Sequence, residues 1–342
     1  MALLWLDGFD NYGTSVGSKP SPDWVITRKY GQTSYEDQRM WTATGRFGQY
    51  GLQLFSDEAG YLFTPNLTTN DTIIIGFGFK VSAEGGGYPI RLYDGATHGV
   101  SVKLVGSELA VTPGTGTPYA TTVNLGLLPR TWYYVELKVK CANSGGTYEL
   151  RVSGQTVLSG SGDTQIGSHA YHTRVGFFSA DNAIPYFDDF YVCDGSGAAN
   201  NDFLGDVRVV AVRPDGAGGS TEWTPDSGSN YARVNEVICG DDSNYVEDGT
   251  VGHEDRYTFG DLSGVNSING LMMCADCRET DAKSFNLKMA CQSDSTHDVD
   301  AGQMVGSTNY LTRYRIMETD PHTSAAWTQT NFNAAEFGLQ VA

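Results

Sequence analysis

The chain has 342 residues, enough for two ordinary domains, and its 22 Lys and Arg against 40 Asp and Glu leave a net charge of −18. That balance excludes a nucleic-acid surface built on clustered cations, and it excludes docking on anionic lipid. With 42 glycines, only 18% charged residues and no runs of Leu, Glu, Lys and Ala, the composition predicts many short strands joined by tight turns.

The N-terminal segment MALLWLDGFD has no basic region, and Asp7 interrupts its apolar run, so no secretory leader is expected and folding in the cytoplasm of the producing cell is. The longest apolar stretch, around Ile73–Phe79, is far short of a membrane-spanning helix. Ala2–Asp7 reads as a first strand, followed by a loop and by Trp24, Tyr30 and Trp41. From Tyr50, within Gly45–Leu54, the period-two alternation of a half-buried strand begins. Thr72–Val81 is strongly apolar and β-branched, with Gly76 and Gly78 interleaved as in a tightly packed sheet centre.

Short strands are predicted over Ile90–Asp94, Gly99–Val105 and Glu108–Val111, and Glu84–Gly87 reads as a turn. Thr131–Lys140 alternates cleanly, with Trp132, Tyr134, Glu136, Lys138 and Lys140 on one side. Gly146–Val152 and Gln155–Leu158 make a hairpin across Ser153-Gly154, and Arg174–Ser179 and Ile184–Cys193 complete the set.

The small, polar run Asp194–Asp202 predicts a domain boundary: a first domain over 1–195, a linker over 196–205, and a second β-sandwich domain over 206–342. Further strands are predicted over Asp206–Arg213, Ala232–Cys239, Asp255–Phe259, Ile268–Asp276, Ser284–Cys291, Tyr310–Met317 and Glu336–Val341, with a turn at Pro214–Ser220. The fold class is all-β.

An ordered set of segments runs from Thr72–Lys80 through Thr131-Trp-Tyr-Tyr-Val-Glu-Leu-Lys-Val, Tyr148-Glu-Leu-Arg-Val and Val175-Gly-Phe-Phe to Tyr186-Phe-Asp-Asp-Phe-Tyr-Val. It resembles the concanavalin A-like/laminin G-like jelly roll over residues 1–195. The resemblance implies that the last strand pairs near the N-terminal one. The segments Asn201–Gly216, Glu222-Trp-Thr-Pro, Tyr231–Glu236, Asp320–Thr328 and Ala335–Val341 resemble structural proteins of tailed bacteriophages. That resemblance implies a non-enzymatic virion component, assembled in the host cytoplasm as a homo-oligomer with other virion proteins. It would act as a tail or tail-tip binding and assembly module, its jelly roll supplying either a host-glycan contact or a protein–protein docking face. A capsid decoration or head spike, and a free carbohydrate-binding protein or glycosidase, are the alternatives.

The jelly-roll resemblance brings Asp188 and Asp189 beside Asp7 and Asp10, and calcium is the ion such hard oxygens would take. The alternative is that one Asp faces solvent while the other caps a turn. No strand carries the Glu-x-Asp-x-x-Glu spacing of jelly-roll glycosidases, and Glu136 and Glu149 stand apart, whereas retaining chemistry needs two carboxyls about 5 Å apart. Cys274-Ala-Asp-Cys277 lacks the second pair of a zinc site and reads as two strand cysteines. His169 and His172 read as surface residues. For carbohydrate, the candidates are aromatic and acidic residues in or beside predicted loops: Tyr88, Tyr93, Asp94, Tyr119, Trp223 and Tyr245.

Overall fold

The computed structural model describes residues 2–12, 25–30, 32–33, 41–48, 50–54, 61–114, 116–168, 170–237, 239–280 and 285–342; Trp24, Gln49, His169 and Ser284 lie outside the described residues. The chain forms two compact units, Met1–Val210 and Ala211–Ala342. The division falls later than the linker expected at 196–205, because residues 196–210 group with the first unit.

The first unit is a sandwich of two antiparallel sheets. Its strands are β1 (Leu3–Asp7), β2 (Gln32–Thr33), β3 (Trp41–Thr44), β4 (Tyr50–Gln53), β5 (Tyr61–Phe63), β6 (Thr72–Val81), β7 (Gly85–Asp94), β8 (Thr97–Gly106), β9 (Glu108–Pro113), β10 (Ala120–Thr121), β11 (Tyr133–Lys140), β12 (Gly146–Val152), β13 (Gln155–Gly162), β14 (Arg174–Phe178) and β15 (Pro185–Asp194); a short helix α1 (Val25–Lys29) follows β1. One sheet runs β13-β12-β11-β6-β15-β4-β3, with β1 added on β15; the other runs β10-β9-β8-β7-β14-β5-β2. The alternation of β11 puts Val135, Leu137 and Val139 into the interior, fully buried, opposite inward residues of the other sheet such as Ile90, Leu92, Val102 and Leu104.

In β15 the register slips between Asp188 and Tyr191, and Asp189 adopts a positive φ of 48°. On one side of this bulge β15 pairs with β4, and on the other with β1, where Asp7 faces Phe190. The N-terminal strand therefore joins the last strand, as the jelly-roll resemblance implies. Gly76 and Gly78 of β6 lie under two large side chains. A methyl at Gly76 would sit 2.1 Å from the Tyr191 ring, and one at Gly78 would sit 2.2 Å from the Arg46 side chain.

Two glycine-rich segments expected to turn are strands instead. Gly85–Gly87 extends β7 against β8, where a Cβ on Gly85 would meet Ala183 at 2.6 Å. The segment after Asp206, expected as a strand, forms none. Residues 204–209 run over the outer face of the larger sheet: Gly205 N–H donates to Glu136 at 2.8 Å, Leu204 N–H to the Tyr191 hydroxyl at 3.1 Å and Val209 N–H to Asp189 at 2.8 Å. Side chains thus take the backbone donors that a ladder would have used.

The second unit opens with β16 (Pro214–Thr221), also expected as a turn, and continues with β17 (Thr224–Pro225), β18 (Val246–Glu247), β19 (Glu254–Phe259), β20 (Leu271–Cys277), β21 (Asn286–Ser293), β22 (Thr296–Val299), β23 (Gln303–Met304), β24 (Leu311–Met317), helix α2 (Gln329–Ala334) and β25 (Glu336–Val341). Its main sheet runs β16-β19-β25-β21-β22. Trp327, Phe332 and Phe337 pack with Cys291, Ile268 and Met317 to form its core. The stretch expected as a strand over Ala232–Cys239 instead begins in a 3-10 turn, Asn230–Arg233. Cys274 and Cys277 lie three apart in β20 and so face opposite sides.

Candidate functional site

The four aspartates read as calcium ligands gather where β1 meets β15, but the groups facing them are donors. Asp7 accepts from Lys29 Nζ at 3.0 Å, Tyr30 Oη at 2.9 Å, Tyr12 Oη at 2.5 Å and the Phe9 N–H at 2.8 Å. Asp189 accepts from Arg46 at 2.9 Å and from Val209 N–H; Asp188 accepts from the Arg46 and Asp189 N–H groups. Asp10 accepts from Tyr50 N–H at 2.9 Å. Burial and the Asp189 charge push Asp188 up to about 7; burial, with the charges of Asp189 and Asp7, pushes Asp10 up to about 6. Ammonium, guanidinium and amide groups fill the positions a cation would occupy, so these carboxylates do not fit a calcium shell. Among the described residues no group of three or more Asp, Glu, His or Cys could hold a metal ion.

The carbohydrate candidates separate. Tyr88 and Tyr93 both belong to β7 and lie on one outer face. Asp94, next in that strand, belongs to the other side, where its charge acts on His172 and Cys141. Tyr119 stacks on Tyr148 at 5.4 Å, near β10. Trp223 and Tyr245 belong to the second unit, on the β17–β18 ribbon, where the Trp223 indole donates to His253 O at 3.3 Å. His172, expected at the surface, is 2% exposed, and its ring fills the space beside Gly99 that a side chain would need.

Around Tyr88 and Tyr93 the outer face of the seven-stranded sheet forms an aromatic and cationic platform. The rings of Tyr61 and Phe63 from β5, Phe178 from β14 and Tyr93 from β7 meet at centroid separations of 4.9 to 6.2 Å. His98 of β8 stacks on Tyr93 at 5.1 Å with planes 15° apart, and Tyr88 meets it edge-on at 6.4 Å. Gly176 makes this possible, since a Cβ there would lie 2.6 Å from Phe63 and 2.7 Å from Phe178. Three cations lie among the rings: Arg91 is 3.7 Å from the Phe178 centroid, Arg174 is 4.4 Å from that of Phe63, and Lys103 Nζ is 5.1 Å from that of Tyr88.

Burial, with the neighbouring Arg91 charge, pushes His98 down to about 4, so its imidazole is neutral near pH 7 and pairs through Nε2 with the Ser101 hydroxyl. A neutral imidazole accepts a proton, and the tyrosine hydroxyls can donate or accept one. Flat rings suit pyranose faces, and the cations suit anionic or hydroxyl oxygens. The sequence reading missed Arg91, Lys103, Arg174, Phe63 and Phe178. The first two were within reach, because strand alternation puts Arg91 beside Tyr93 and Lys103 beside Ser101 on the non-apolar side.

No protein-family model matches the chain, and no curated protein is similar to it. Among solved structures it is similar to an endo-β-1,4-glucuronan lyase from Trichoderma reesei (12% identity, TM-score 0.39, covering 48% of this chain and 90% of that one). It is similar to an alginate lyase in complex with an alginate trisaccharide (14%, 0.40, 56% and 97%). It is also similar to a non-specific endo-β-1,3(4)-glucanase (13%, 0.35, 56% and 90%). These neighbours are jelly-roll, carbohydrate-active folds. The expectation that the chain is not an enzyme is corrected accordingly, since the structures similar to it are polysaccharide lyases and a glucanase. That expectation rested on the resemblance to phage structural proteins and on the missing carboxylate pair.

Proposed function

We propose that the first unit is a carbohydrate-binding jelly roll that holds a glycan along the outer face of its seven-stranded sheet. The observation that supports this reading most is the stripe of rings from Tyr61 through Phe178 and Tyr93 to Tyr88, interleaved with Arg91, Arg174 and Lys103. Aromatic rings at the surface supply sugar-stacking area with little entropy to lose, and neighbouring polar groups set orientation. The neighbouring solved structures act on or carry polysaccharides, which accords with it. A glycan array followed by titration calorimetry tests the proposal: Tyr93→Ala and Phe178→Ala lose binding, while Trp223→Ala in the second unit keeps it. Unchanged binding in both platform variants overturns it.

A second reading, glycan processing, is favoured by His98. It is the neutral imidazole of this face, beside the Tyr93 ring and the Arg91 charge. New chain ends appearing in a polysaccharide incubated with the protein, and absent with His98→Ala, support processing. The virion placement rests on the sequence resemblance alone and is a proposal of the same kind, consistent with a displayed glycan-binding face. Mass spectrometry of purified phage particles tests it.

A further inference from the structure

Resting on the glycan-binding reading above, we infer that the ligand of the platform is a polyanionic glycan, one with carboxylate or sulfate groups along its chain, engaged through Arg91 and Lys103.

Among the described residues nine Lys and Arg side chains lie within 4 Å of a carboxylate, Lys29, Arg46, Arg256 and Arg315 among them. Arg91 and Lys103 are placed otherwise. Among the described residues neither has a carboxylate partner. Arg91 donates Nε–H to the Tyr88 carbonyl at 3.2 Å, and its guanidinium plane lies against Phe178. Among the described residues its terminal N–H groups have no hydrogen-bond acceptor, and the ring beneath holds them at fixed orientation. Lys103 Nζ lies over the Tyr88 ring.

Both cations approach that one ring, Arg91 Cζ at 5.6 Å and Lys103 Nζ at 5.1 Å. Two like charges gathered about one ring on a half-buried face repel each other, and an anion between them removes that repulsion. Glu108, at the far edge of the face, does not serve: its carboxylate accepts from Thr122, Leu125 and Gly126. Asp181 lies beside Gly86 and Gly87 at the start of β7, and forms no ion pair with either cation among the described residues; charges farther off than about 10 Å act weakly at 0.1 M salt.

The experiment is calorimetry of the full chain against four probes: a soluble polyuronate, a sulfated glycan, a neutral glucan of similar length and a single-stranded oligonucleotide. Each is measured at low and at raised salt. The expected result is binding of the polyuronate or the sulfated glycan, whichever anion fits, well above the glucan and the oligonucleotide, and weakening with salt. Arg91→Gln with Lys103→Gln is expected to weaken it about tenfold, the scale of one charge-assisted hydrogen bond, and to reduce its salt dependence. Salt dependence of the unaltered protein keeps the test independent of how well the double variant folds. Equal, salt-independent binding of neutral and charged glycans overturns the inference and leaves the glycan-binding reading standing. Oligonucleotide binding equal to that of the charged glycans also overturns the inference. Binding of none of the glycans overturns both.

Discussion

Arg46 and Asp189 meet at 2.9 Å within the first unit, with side chains 8% and 3% exposed, and this pair ties the 203–209 segment to the larger sheet. The same guanidinium reaches Asp206 and the Val207 carbonyl at 3.2 Å, while Asp189 takes the Val209 N–H. Removing the cation alone leaves a buried carboxylate uncompensated, which costs about 3–5 kcal/mol. Arg46→Leu is therefore expected to lower the unfolding free energy of the first unit by that amount, read from a urea titration. Hydrogen exchange read on a peptide spanning 203–210 should show protection lost there first. Retained protection in that peptide would separate the segment from the pair.

The carboxyls beside this pair give the first unit an unusual pH dependence. Asp188 at about 7 and Asp10 at about 6 hold their protons more tightly folded than unfolded, where the ordinary value is 3.8. The folded state thus binds more protons than the unfolded state between roughly pH 4 and 7, so stability is present at the acid end and falls as pH rises through the folded values. Urea midpoints are expected to drop from pH 5 to pH 8. Asp188→Asn, whose amide oxygen still accepts from Arg46 N–H, is expected to flatten that drop and to match or exceed the unaltered protein at pH 8. An unchanged slope in this variant would assign the dependence elsewhere.

Gly76 carries a third expectation. Its missing side chain leaves room for the Tyr191 ring, whose hydroxyl donates to Glu136 at 2.6 Å and accepts from Leu204 N–H. Gly76→Ala overpacks this site and displaces Tyr191, at a cost of about 1–3 kcal/mol. Calorimetric unfolding is expected to show the loss, and Gly48→Ser, where nothing lies within 4 Å but φ is +87°, should show only the smaller backbone cost.

How far the sequence reveals this molecule follows from which signals are local. Thr72–Val81 and Tyr133–Lys140 are legible because their side chains alternate and are β-branched or aromatic. Gly85–Gly87 and Pro214–Thr221 offer no side chains to alternate; what makes them strands is their pairing with Leu104–Gly106 and with Asp255–Phe259, far along the chain. Asp206–Arg213 alternates well, yet Arg46 and Asp189, remote in sequence, take the Val207 carbonyl and the Val209 N–H. The platform is half legible for the same reason. Tyr88 and Tyr93 sit in one readable strand, but Phe63, Phe178 and Arg174 reach them only through the β5–β14–β7 order. The acidic cluster was legible as a neighbourhood. The donors that fill it, Lys29, Tyr30 and Arg46, were not.

If His98 takes a proton during glycan processing, its low value fixes the profile. Activity is expected to rise as pH passes about 4 and to hold level through neutrality, since the imidazole is already neutral there. Arg91→Gln removes a neighbouring positive charge and moves the rise to higher pH. His98→Ala abolishes turnover while leaving glycan affinity within a few fold. A profile whose rise ignores the Arg91 substitution would remove His98 from the chemistry.

The second unit is expected to respond to acid with the opposite sign. Asp320 is fully buried and accepts from Ser293 Oγ at 2.6 Å, Asn331 Nδ2 at 2.7 Å, Thr323 Oγ1 at 3.0 Å and the His322 N–H at 3.0 Å. Burial alone would raise it, but these four donors hold it below its ordinary value. A depressed folded value contributes stability that is present above the unfolded value and is lost as pH falls through the folded one. Far from titrating near neutrality, Asp320 stabilises through the whole range in which Asp188 destabilises. Asp320→Ala strands four donors around the end of β21 and the start of α2, and is expected to cost about 3 kcal/mol, within the range for disrupting a buried network. Tryptophan fluorescence reports it, because Trp327 packs in the core beside Phe332 and Phe337. The loss should be constant from pH 5 to pH 8 and shrink only toward pH 3. A loss that shrinks near pH 6 would mean that Asp320 is not held ionised by its donors.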